Sequence, residues 1–331
     1  MAKLLEITGK AISGEWGQDD DTGTGIPVLR TTNFTNEGFV NYKNVVTRSI
    51  SKKNIAEKYL RHGDVIIEKS GGSDKQPVGR VIFFEGEENK YLFNNFTGLL
   101  RVQNPEEWLP KYVFYALYTY YRNGGTRAFE NRTTGLHNLQ VDNYVKSVDI
   151  PKLSYRKQQH ICETLDHVRD AVAYRERQLT KLDELIKARF VEMFGDPYTN
   201  SKDYPLKKGE SFFKLSNGKA VPESKRLNGG IPAYGGNGIS WYTDESLFDA
   251  DTIVVGRVGF QSGNVHLVKG PLWVTDNAMY MSSCDFSQYN LTFLIELMAH
   301  VDFTKFQDAG DLKKITQKPF MQFEYLCPPL S

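Results

Sequence analysis

The sequence predicts a mixed α+β protein in which two related domains are separated by one long, coiled-coil-forming α-helix. Three observations predict this fold class: a heptad pattern over residues 155–194, landmarks repeated in one order on either side of it, and strand-like stretches followed by a helical stretch within each repeat. The expected division is a first domain at 1–154, a spacer helix at 155–196 and a second domain at 197–331.

The long helix is predicted by apolar residues that recur at alternating spacings of four and three. No Gly or Pro interrupts the pattern from Tyr155 to Phe194, Ser154 supplies a cap, and Gly195 and Pro197 supply a stop. At about 1.5 Å per residue, this helix would be about 60 Å long. The seam consists of Ile161, Leu165, Val168, Val172, Arg175, Leu179, Leu182, Ile186 and Met193, and Arg175 and Arg189 fill the two steps that apolar residues skip.

The segments on either side of the helix share five landmarks. Those of the first segment are Ser13-Gly14, Gly25-Ile26-Pro27, Gly63-Asp64-Val65-Ile66-Ile67, Asn95 and Ile150-Pro151-Lys152-Leu153-Ser154. Those of the second segment are Asn217-Gly218, Gly230-Ile231-Pro232, Ala250-Asp251-Thr252-Ile253-Val254, Asn277 and Cys327-Pro328-Pro329-Leu330-Ser331. Chance explains any one pair, but five pairs in one order indicate a duplicated framework with variable loops.

Two expectations follow for the framework. Because Asn95 and Asn277 are shared, they should support the strands rather than bind a ligand. The glycines of Ser13-Gly14 and Gly235-Gly236 are expected to form turns that need a positive φ.

Within each segment, strand-like composition comes first and helical composition follows. Strands are expected at 64–68, 79–85 and 91–102, and helices at 108–122 and 291–306. Loops are expected at 14–25, 70–77, 123–138, 217–228 and 308–317.

The composition excludes several classes of protein. The hydrophobic fraction of 40% and the charged fraction of 24% are ordinary for a globular protein, and 41 basic against 40 acidic residues neither indicate nor exclude nucleic acid. No apolar run approaches roughly 18 residues and the first residues lack a signal-peptide core, so a cytoplasmic protein with no membrane partner is expected. Cys162, Cys284 and Cys327 fit neither a disulfide framework nor a zinc site.

The order of these features resembles the specificity subunit of type I restriction-modification systems. The resemblance is carried by residues 150–154 running into Gln158-Gln159, by the helix end at Phe190, Met193 and 194–197, and by the opening of the second segment at 214–219 and 229–238. One departure is plain. Ser331 aligns with Ser154, so the family's second conserved helix has no counterpart, as in a natural truncation or an expressed fragment.

The resemblance implies that each domain is a target recognition domain for a few base pairs of double-stranded DNA, and that the helix fixes the spacing of two half-sites. It implies a noncatalytic subunit without a cofactor. The implied partners are two adenine methyltransferase subunits, which methylate DNA, and ATP-dependent restriction and translocase subunits, which cleave it.

No enzymatic motif contradicts this interpretation. Asn217-Gly218-Lys219-Ala220 lacks both the upstream Gly and the hydroxyl of a phosphate-binding loop. Asp196-Pro197-Tyr198 is interpreted as the helix stop rather than a methyltransferase element, and Glu223-Ser224-Lys225 as a chance match to nuclease spacing. The His and Cys residues show no metal-ligand spacing, so no metal is expected.

DNA-binding candidates are polar residues of the expected loops, because Arg, Lys, Asn and Gln contact base edges while hydroxyls and cations hold phosphates. In the first domain they are Lys69, Ser70, Lys75, Gln76, Arg80, Arg127, Asn131, Arg132, Thr133, Thr134, His137 and Asn138. In the second they are Lys219, Lys225, Arg226, Tyr234, Asn237, Arg257, Lys313, Lys314 and Gln317. The stretch 122–132 is the best local basic surface, and a solvated loop is the alternative.

Two hypotheses remain open for the chain. The alternative to DNA recognition is a coiled-coil scaffold whose repeated domains bind proteins. Loop chemistry favours DNA, because only Trp241-Tyr242 places aromatic residues together in a loop-like setting. Under either hypothesis the bare seam should bind another helix, from a second copy in a homodimer or from a methyltransferase subunit, and Arg175 should meet a carboxylate or lie where that helix ends.

Overall fold

The fold class predicted from the sequence is confirmed. The computed structural model describes residues 1–51, 55–133, 136–310 and 312–329. The chain forms two compact units, Met1–Tyr174 (unit 1) and Arg175–Ser331 (unit 2), and both contain helices and sheets. One helix of 40 residues begins in the first unit and ends in the second.

The helices and strands of unit 1 alternate along the chain. Its strands are β1 Ala2–Lys3, β2 Ile12–Ser13, β3 Gln18–Asp19, β4 Ile26–Leu29, β5 Val46–Ser49, β6 Val65–Glu68, β7 Ser70–Gly72, β8 Val81–Phe83, β9 Leu92–Phe93, β10 Thr97–Leu100, β11 Glu130–Thr133, β12 Leu136–Leu139 and β13 Asp149–Ile150. Its helices are α1 Leu4–Thr8, α2 Pro110–Arg122, α3 Val141–Ser147 and the start of α4 Tyr155–Phe194.

Unit 2 repeats this arrangement with fewer short strands. Its strands are β14 Leu206–Lys208, β15 Phe213–Asn217, β16 Ile231–Gly235, β17 Gly238–Thr243, β18 Thr252–Gly256, β19 Val265–Val268, β20 Trp273–Val274, β21 Ala278–Cys284 and β22 Glu324–Leu326. Its helices after α4 are α5 Leu291–Val301 and α6 Lys318–Gln322.

The two units share one sheet topology. The central antiparallel sheet has the order β2-β10-β6-β8 in unit 1 and β15-β21-β18-β19 in unit 2. A parallel pair recurs beside it, β4 with β9 and β16 with β20, and an antiparallel pair closes each unit, β1 with β13 and β14 with β22. Helix α2 packs against β8, and α5 packs against β19. The duplicated framework inferred from the landmarks is therefore present in the fold.

The central strands are continuous apolar runs because each strand serves two cores. In β6, Val65 and Ile67 contact the helix-covered core, while Ile66 contacts the core on the opposite face of the sheet. In β18, Ile253 belongs to the core with α5 and Val254 to the opposite core. A strand buried on both faces lacks the alternation of polar and apolar residues, which explains the composition of these segments.

Each end of α4 is held by the unit that contains it. In unit 1, the buried Gln158 side chain accepts from the Leu109 N–H at 2.8 Å and donates to the carbonyls of Glu107 and Leu153 at 2.9 and 3.0 Å. In unit 2, Phe190 is buried and stacks on His300 at 4.5 Å between ring centroids. The helix begins and ends where the sequence predicts.

Several expected loops are wrong. Segment 70–77 contains β7, and segment 123–138 contains β11, β12 and a 3₁₀ helix at Gly125–Phe129. These strands pair in the order β11-β12-β7, across a long separation in sequence. Their polar and Gly-rich residues carry no alternating pattern, so only long-range hydrogen bonding identifies them as strands. The expected loop 14–25 likewise contains β3, and the expected strand 91–102 is two strands separated by a turn.

The expectation of positive φ at Gly14 and at Gly235-Gly236 is also wrong. Gly14 is required by a close backbone approach, because a Cβ there would lie 2.1 Å from the Asn94 carbonyl oxygen. Gly218 is its counterpart in unit 2, where a Cβ would lie 2.1 Å from the Thr275 carbonyl oxygen. The shared glycine therefore lets β2 and β15 pass close to the turn that precedes the next strand of the sheet.

Candidate nucleic-acid interface

In unit 1 the residues that directly follow β6 pair with β12. The Lys69 carbonyl accepts from the Leu139 N–H at 2.8 Å, and Ser70 lies opposite Asn138 in the sheet. This arrangement brings four sequence-predicted candidates to one edge of the unit: Lys69, Ser70, His137 and Asn138. We define Lys69–Gly72 together with His137–Leu139 as exit surface 1.

Unit 2 repeats the same arrangement at the end of β18. The Arg257 carbonyl accepts from the Ile315 N–H at 3.0 Å, and Val258 bridges to Lys314. We define Arg257–Gly259 together with Lys313–Ile315 as exit surface 2. By these hydrogen bonds Lys69 corresponds to Arg257, and Asn138 to Lys314.

The hydrogen bonds of a turn next to each exit surface show that one landmark pair was matched incorrectly between the two units. The Lys69 N–H donates to the Phe96 carbonyl at 2.8 Å, and the Arg257 N–H donates to the Asn277 carbonyl at 2.9 Å. Asn277 therefore corresponds to Phe96 and not to Asn95, so the Asn landmark pair is out of register by one residue. The turn itself belongs to the framework in both units.

Exit surface 1 borders a cavity of about 450 Å³, and the Lys69 side chain is one of the residues that line it. The polar and aromatic residues that line the cavity are Ser13, Lys69, Ser70, Asn95, Phe96, Asn138 and the carboxylate Asp142. Lys69 Nζ donates to Ser13 Oγ at 2.9 Å. Burial, and secondarily the charge of Lys58, lower the pKa of the Lys69 ammonium. An anion bound beside Nζ would raise that pKa again, since it stabilises the charged form.

A basic pocket of about 590 Å³ lies beyond β7 in unit 1. The pocket is lined by Thr35, Asn36, Lys75, Gln76, Pro77, Arg80, Val81, Tyr118, Tyr121, Arg122, Asn123, Gly124 and Arg127. Of these described residues none is a carboxylate, whereas Lys75, Arg80, Arg122 and Arg127 are cations. Arg122 was missed as an individual candidate because it ends α2, although it belongs to the basic stretch 122–132.

Arg80 differs from the other cations of this pocket. Its guanidinium donates to both carboxylate oxygens of the buried Glu68 at 3.0 Å and to the Thr31 carbonyl at 3.2 Å. This pair neutralises the charge of Arg80 within the unit and fixes the base of the pocket. The pocket's net positive charge therefore comes from Lys75, Arg122 and Arg127.

The pair of strands β11 and β12 holds the remaining candidates of unit 1. Asn131 is exposed and lies opposite Asn138. His137 Nδ1 forms a hydrogen bond with Glu130, so that ring is held within the sheet. Arg132 and Thr133 lie in β11 with side chains outside the described part of the chain, and Thr134 lies outside the described residues altogether.

Exit surface 2 contains three of the nine candidates of unit 2, namely Arg257, Lys313 and Lys314. The Lys313 carbonyl accepts from the Gly259 N–H at 2.8 Å, and Gln317 Nε2 donates to Asn217 Oδ1 at 3.3 Å. Asn217 precedes Gly218 as Ser13 precedes Gly14, so each unit uses the same framework position to hold a polar side chain near its exit surface. Asn237 is exposed in the turn between β16 and β17.

Four other candidates of unit 2 are engaged away from exit surface 2. Lys225 pairs with Glu245 at 2.7 Å, and the Arg226 guanidinium lies 4.1 Å above the Trp241 ring. The Tyr234 side chain packs against the apolar core of the unit. The Lys219 backbone is held by hydrogen bonds to Val274 and from the Trp273 indole, and its side chain is exposed.

The predicted seam of α4 is a stripe of exposed apolar side chains. Ile161 is half-buried in unit 1, whereas Val168, Leu179 and Leu182 are 57%, 62% and 53% exposed. Leu165, Val172, Ile186 and Met193 are also exposed. Arg175 Nη1 donates to Gln178 Oε1 at 2.9 Å, so this Arg is solvated beside the stripe. We define the apolar stripe of α4 as Ile161, Leu165, Val168, Val172, Leu179, Leu182, Ile186 and Met193.

Metal-binding and membrane-spanning features are absent from the described part of the chain. No group of three or more His, Cys, Asp or Glu residues there is arranged to hold a metal ion. None of the helices described combines the length and apolar character that crossing a membrane requires.

Comparison with known proteins relates the chain to one class. No family model matches it. It is 39% identical over 51 residues to the type I restriction enzyme EcoprrI specificity subunit of Escherichia coli, and 23% identical over 116 residues to the putative type I restriction enzyme specificity subunit S.HindORF215P of Haemophilus influenzae. These matches cover 15% and 34% of this chain, and only 13% and 30% of those relatives.

The fold extends the comparison to nearly the whole chain. The crystal structure of the type I restriction-modification S subunit from M. genitalium matches with a TM-score of 0.59 at 16% identity, over 98% of this chain and 83% of that one. At this identity the match establishes the fold, while the two sequence matches carry the relationship. In local sequence and in fold, the chain is similar to the specificity subunits of type I restriction-modification systems.

Proposed function

We propose that this chain is the sequence-specific DNA-recognition subunit of a type I restriction-modification complex. Unit 1 and unit 2 each contact one half of a bipartite target, and α4 sets the unread gap between the halves. In this proposal 1–154 and 197–331 are the two target recognition domains, and 155–196 is the spacer. The observation that carries the proposal is the recurrence of one exit surface, with a cation at the same framework position, in two units of different sequence.

The chemistry of the exit surfaces supports double-stranded DNA as the ligand. Lys69 in one unit and Arg257 in the other occupy the same framework position, where each meets a paired strand. Cations neutralise phosphates, and Asn, Gln and Arg contact base edges in the major groove. Because the framework is common and these side chains differ, two copies of one fold would recognise different short sequences.

A recognition subunit acts together with catalytic subunits, so the proposal includes an assembly. The subunit itself is noncatalytic, and it directs two adenine methyltransferase subunits and the ATP-dependent restriction and translocase subunits to the target. The names of its relatives, which are called specificity subunits, support this role.

Replacement of Arg257 by Ala should weaken binding to duplex DNA and lower the slope of log affinity against log salt by about one, because each lost phosphate contact releases about one counterion fewer. The measurement is fluorescence anisotropy with a labelled duplex over a range of salt concentrations. If Arg257 instead contacts a guanine, the loss will be confined to one position of one half-site.

The matched control is Lys269→Ala. Lys269 is exposed and follows β19, at the end of the β18–β19 pair opposite to Arg257. It should leave both affinity and slope unchanged. Equal effects of the two variants would indicate nonspecific attraction, and no effect of either would favour the protein-scaffold alternative.

The apolar stripe of α4 should bind a helix of another chain, either a second copy or a methyltransferase subunit. A Leu182→Glu substitution is expected to weaken that association about a hundredfold, since it removes apolar burial and introduces a buried charge. Sedimentation velocity of the chain, alone and with its methyltransferase, measures it. Tyr174→Glu is the control, because Tyr174 is 55% exposed but lies outside the seam. A wild-type chain that associates with neither partner would contradict the proposal.

A further inference from the structure

An exposed phenylalanine stands at each exit surface. Phe260 follows Gly259 at exit surface 2 and is 90% exposed, the highest value among the large apolar side chains that the structure describes. Phe96 is 53% exposed and lines the cavity of exit surface 1 together with Lys69. Single exposed apolar residues are common on protein surfaces, but these two rings differ in how the backbone holds them and in the cations near them in the sequence or in the fold.

The backbone that carries Phe260 is fixed. The Gly259 N–H donates to Lys313, the Ser262 N–H donates back to the Gly259 carbonyl at 3.0 Å, and Gln307 Nε2 donates to the Phe260 carbonyl at 3.2 Å. Gly259 has a φ of +98°, a conformation that L side chains rarely adopt. The ring is therefore presented outward by a constrained turn rather than by a loop free to fold it inward.

Phe96 is fixed in a comparable way. Its carbonyl accepts from the N–H groups of Lys69 and Ser70 at 2.8 and 3.3 Å. The turn that carries it is closed by Thr97, whose N–H and hydroxyl both donate to the Asn94 carbonyl, at 3.1 and 2.8 Å. Both phenylalanines are thus bonded through their backbone, directly or through Gly259, to the strands that form the exit surfaces.

The two rings occupy different corners of the shared framework. The position of Phe96 is taken in unit 2 by Asn277. Gly72 lies opposite His137 after a register shift, just as the Gly259 N–H donates to the Lys313 carbonyl, so the position of Phe260 is taken in unit 1 by Ser73. Each unit therefore places an exposed aromatic ring at its exit surface, at a position where the other unit has none.

We propose that Phe96 and Phe260 are base-contacting residues, which stack on or wedge between bases of the duplex bound at their exit surfaces. This inference rests on the proposed function. The flanking cations, Lys69 for Phe96 and Arg257 with Lys313 for Phe260, attract phosphates and bring bases within reach of an apolar ring. Apolar side chains that enter a duplex in this way partly unstack a base step and bend the DNA.

The test begins with a pool of randomised duplexes long enough to span both half-sites, from which the full-length chain selects those that it retains. On the enriched duplex, Phe260→Ala and Phe96→Ala should each weaken binding about tenfold, as expected for loss of stacking on a base. The slope of log affinity against log salt should not change, because no charge is removed. Phe260→Trp should lose fluorescence on DNA addition beyond the loss seen in the wild type.

The matched controls are Phe286→Ala and Phe286→Trp. Phe286 is 60% exposed and follows β21, whose opposite end pairs with Gly256, the residue just before exit surface 2. Neither control should change affinity or fluorescence. If the pool yields no enriched duplex, the proposed function fails and this inference fails with it. If a duplex is enriched and the Phe96 and Phe260 variants bind it like the wild type, as expected for rings that contact a protein partner, the inference alone is overturned.

Discussion

Insertion of one heptad into α4 between Tyr174 and Arg175 should weaken binding to the original target by at least about a hundredfold while preserving both half-sites. Seven residues lengthen a helix by about 10 Å, which is about three base pairs of duplex DNA. Under the proposed function each half-site supplies few contacts, at about 1 to 3 kcal/mol for a good bidentate pair, so one half-site alone should not retain specific binding. A whole heptad also keeps the apolar stripe in phase.

The measurement is selection from randomised duplexes by the wild-type chain and by the insertion variant. The variant should enrich the same two half-sites with a gap longer by about three base pairs. As a control, residues 169–175 are replaced by the inserted heptad without a change in length, and the original gap should return. An insertion variant that still selects the original gap would refute the spacer role of α4.

Asp64→Ala should destabilise unit 1 by about 3 kcal/mol, because it leaves Arg101 without its carboxylate in a largely buried setting. Asp64 is 2% exposed and accepts from Arg101 Nη2 at 2.7 Å and Nε at 2.8 Å, and from the Arg61 N–H at 2.7 Å. These bonds hold the turn that starts β6, the strand that leads to exit surface 1. The free energy of unfolding can be followed by hydrogen exchange of the β6 amides.

Asp149→Ala is the matched control in the same unit. Asp149 pairs with Lys3 at the same distance, 2.7 Å, but the two side chains are 40% and 44% exposed. Water and salt screen such a pair, and its loss should cost less than about 1 kcal/mol. Equal losses from the two substitutions would show that the burial of Asp64 does not strengthen its interaction.

The sequence predicted those parts of the candidate site that lie near regular landmarks. Lys69 and Arg257 come directly after apolar strands, so their position at a strand end followed from the pattern. The pairing of those ends with 137–139 and 313–315 did not, because hydrogen bonds between segments 70 and 58 residues apart leave no local pattern in composition. For the same reason the sequence alone makes Arg80 a DNA-binding candidate. Its ion pair with the buried Glu68 is seen only in the fold.

The exposure of Phe96 and Phe260 could not be predicted from the sequence either. An aromatic residue in a sequence is expected in a core, and nothing local distinguishes Phe260 from the buried Phe303. The exposed ring is a consequence of the turn that carries it.

By itself, the sequence determined the 40-residue helix, the duplicated framework and the α+β class, because heptad spacing, repeated landmarks and apolar strands are local or periodic properties of the chain. Only the tertiary structure decided which polar residues meet. It joined β7 to β12, paired Lys225 with Glu245 in unit 2, and left Phe96 and Phe260 exposed at the two exit surfaces. Those outcomes depend on contacts between distant segments, whose free energies depend on burial and backbone pairing in three dimensions rather than on residue type.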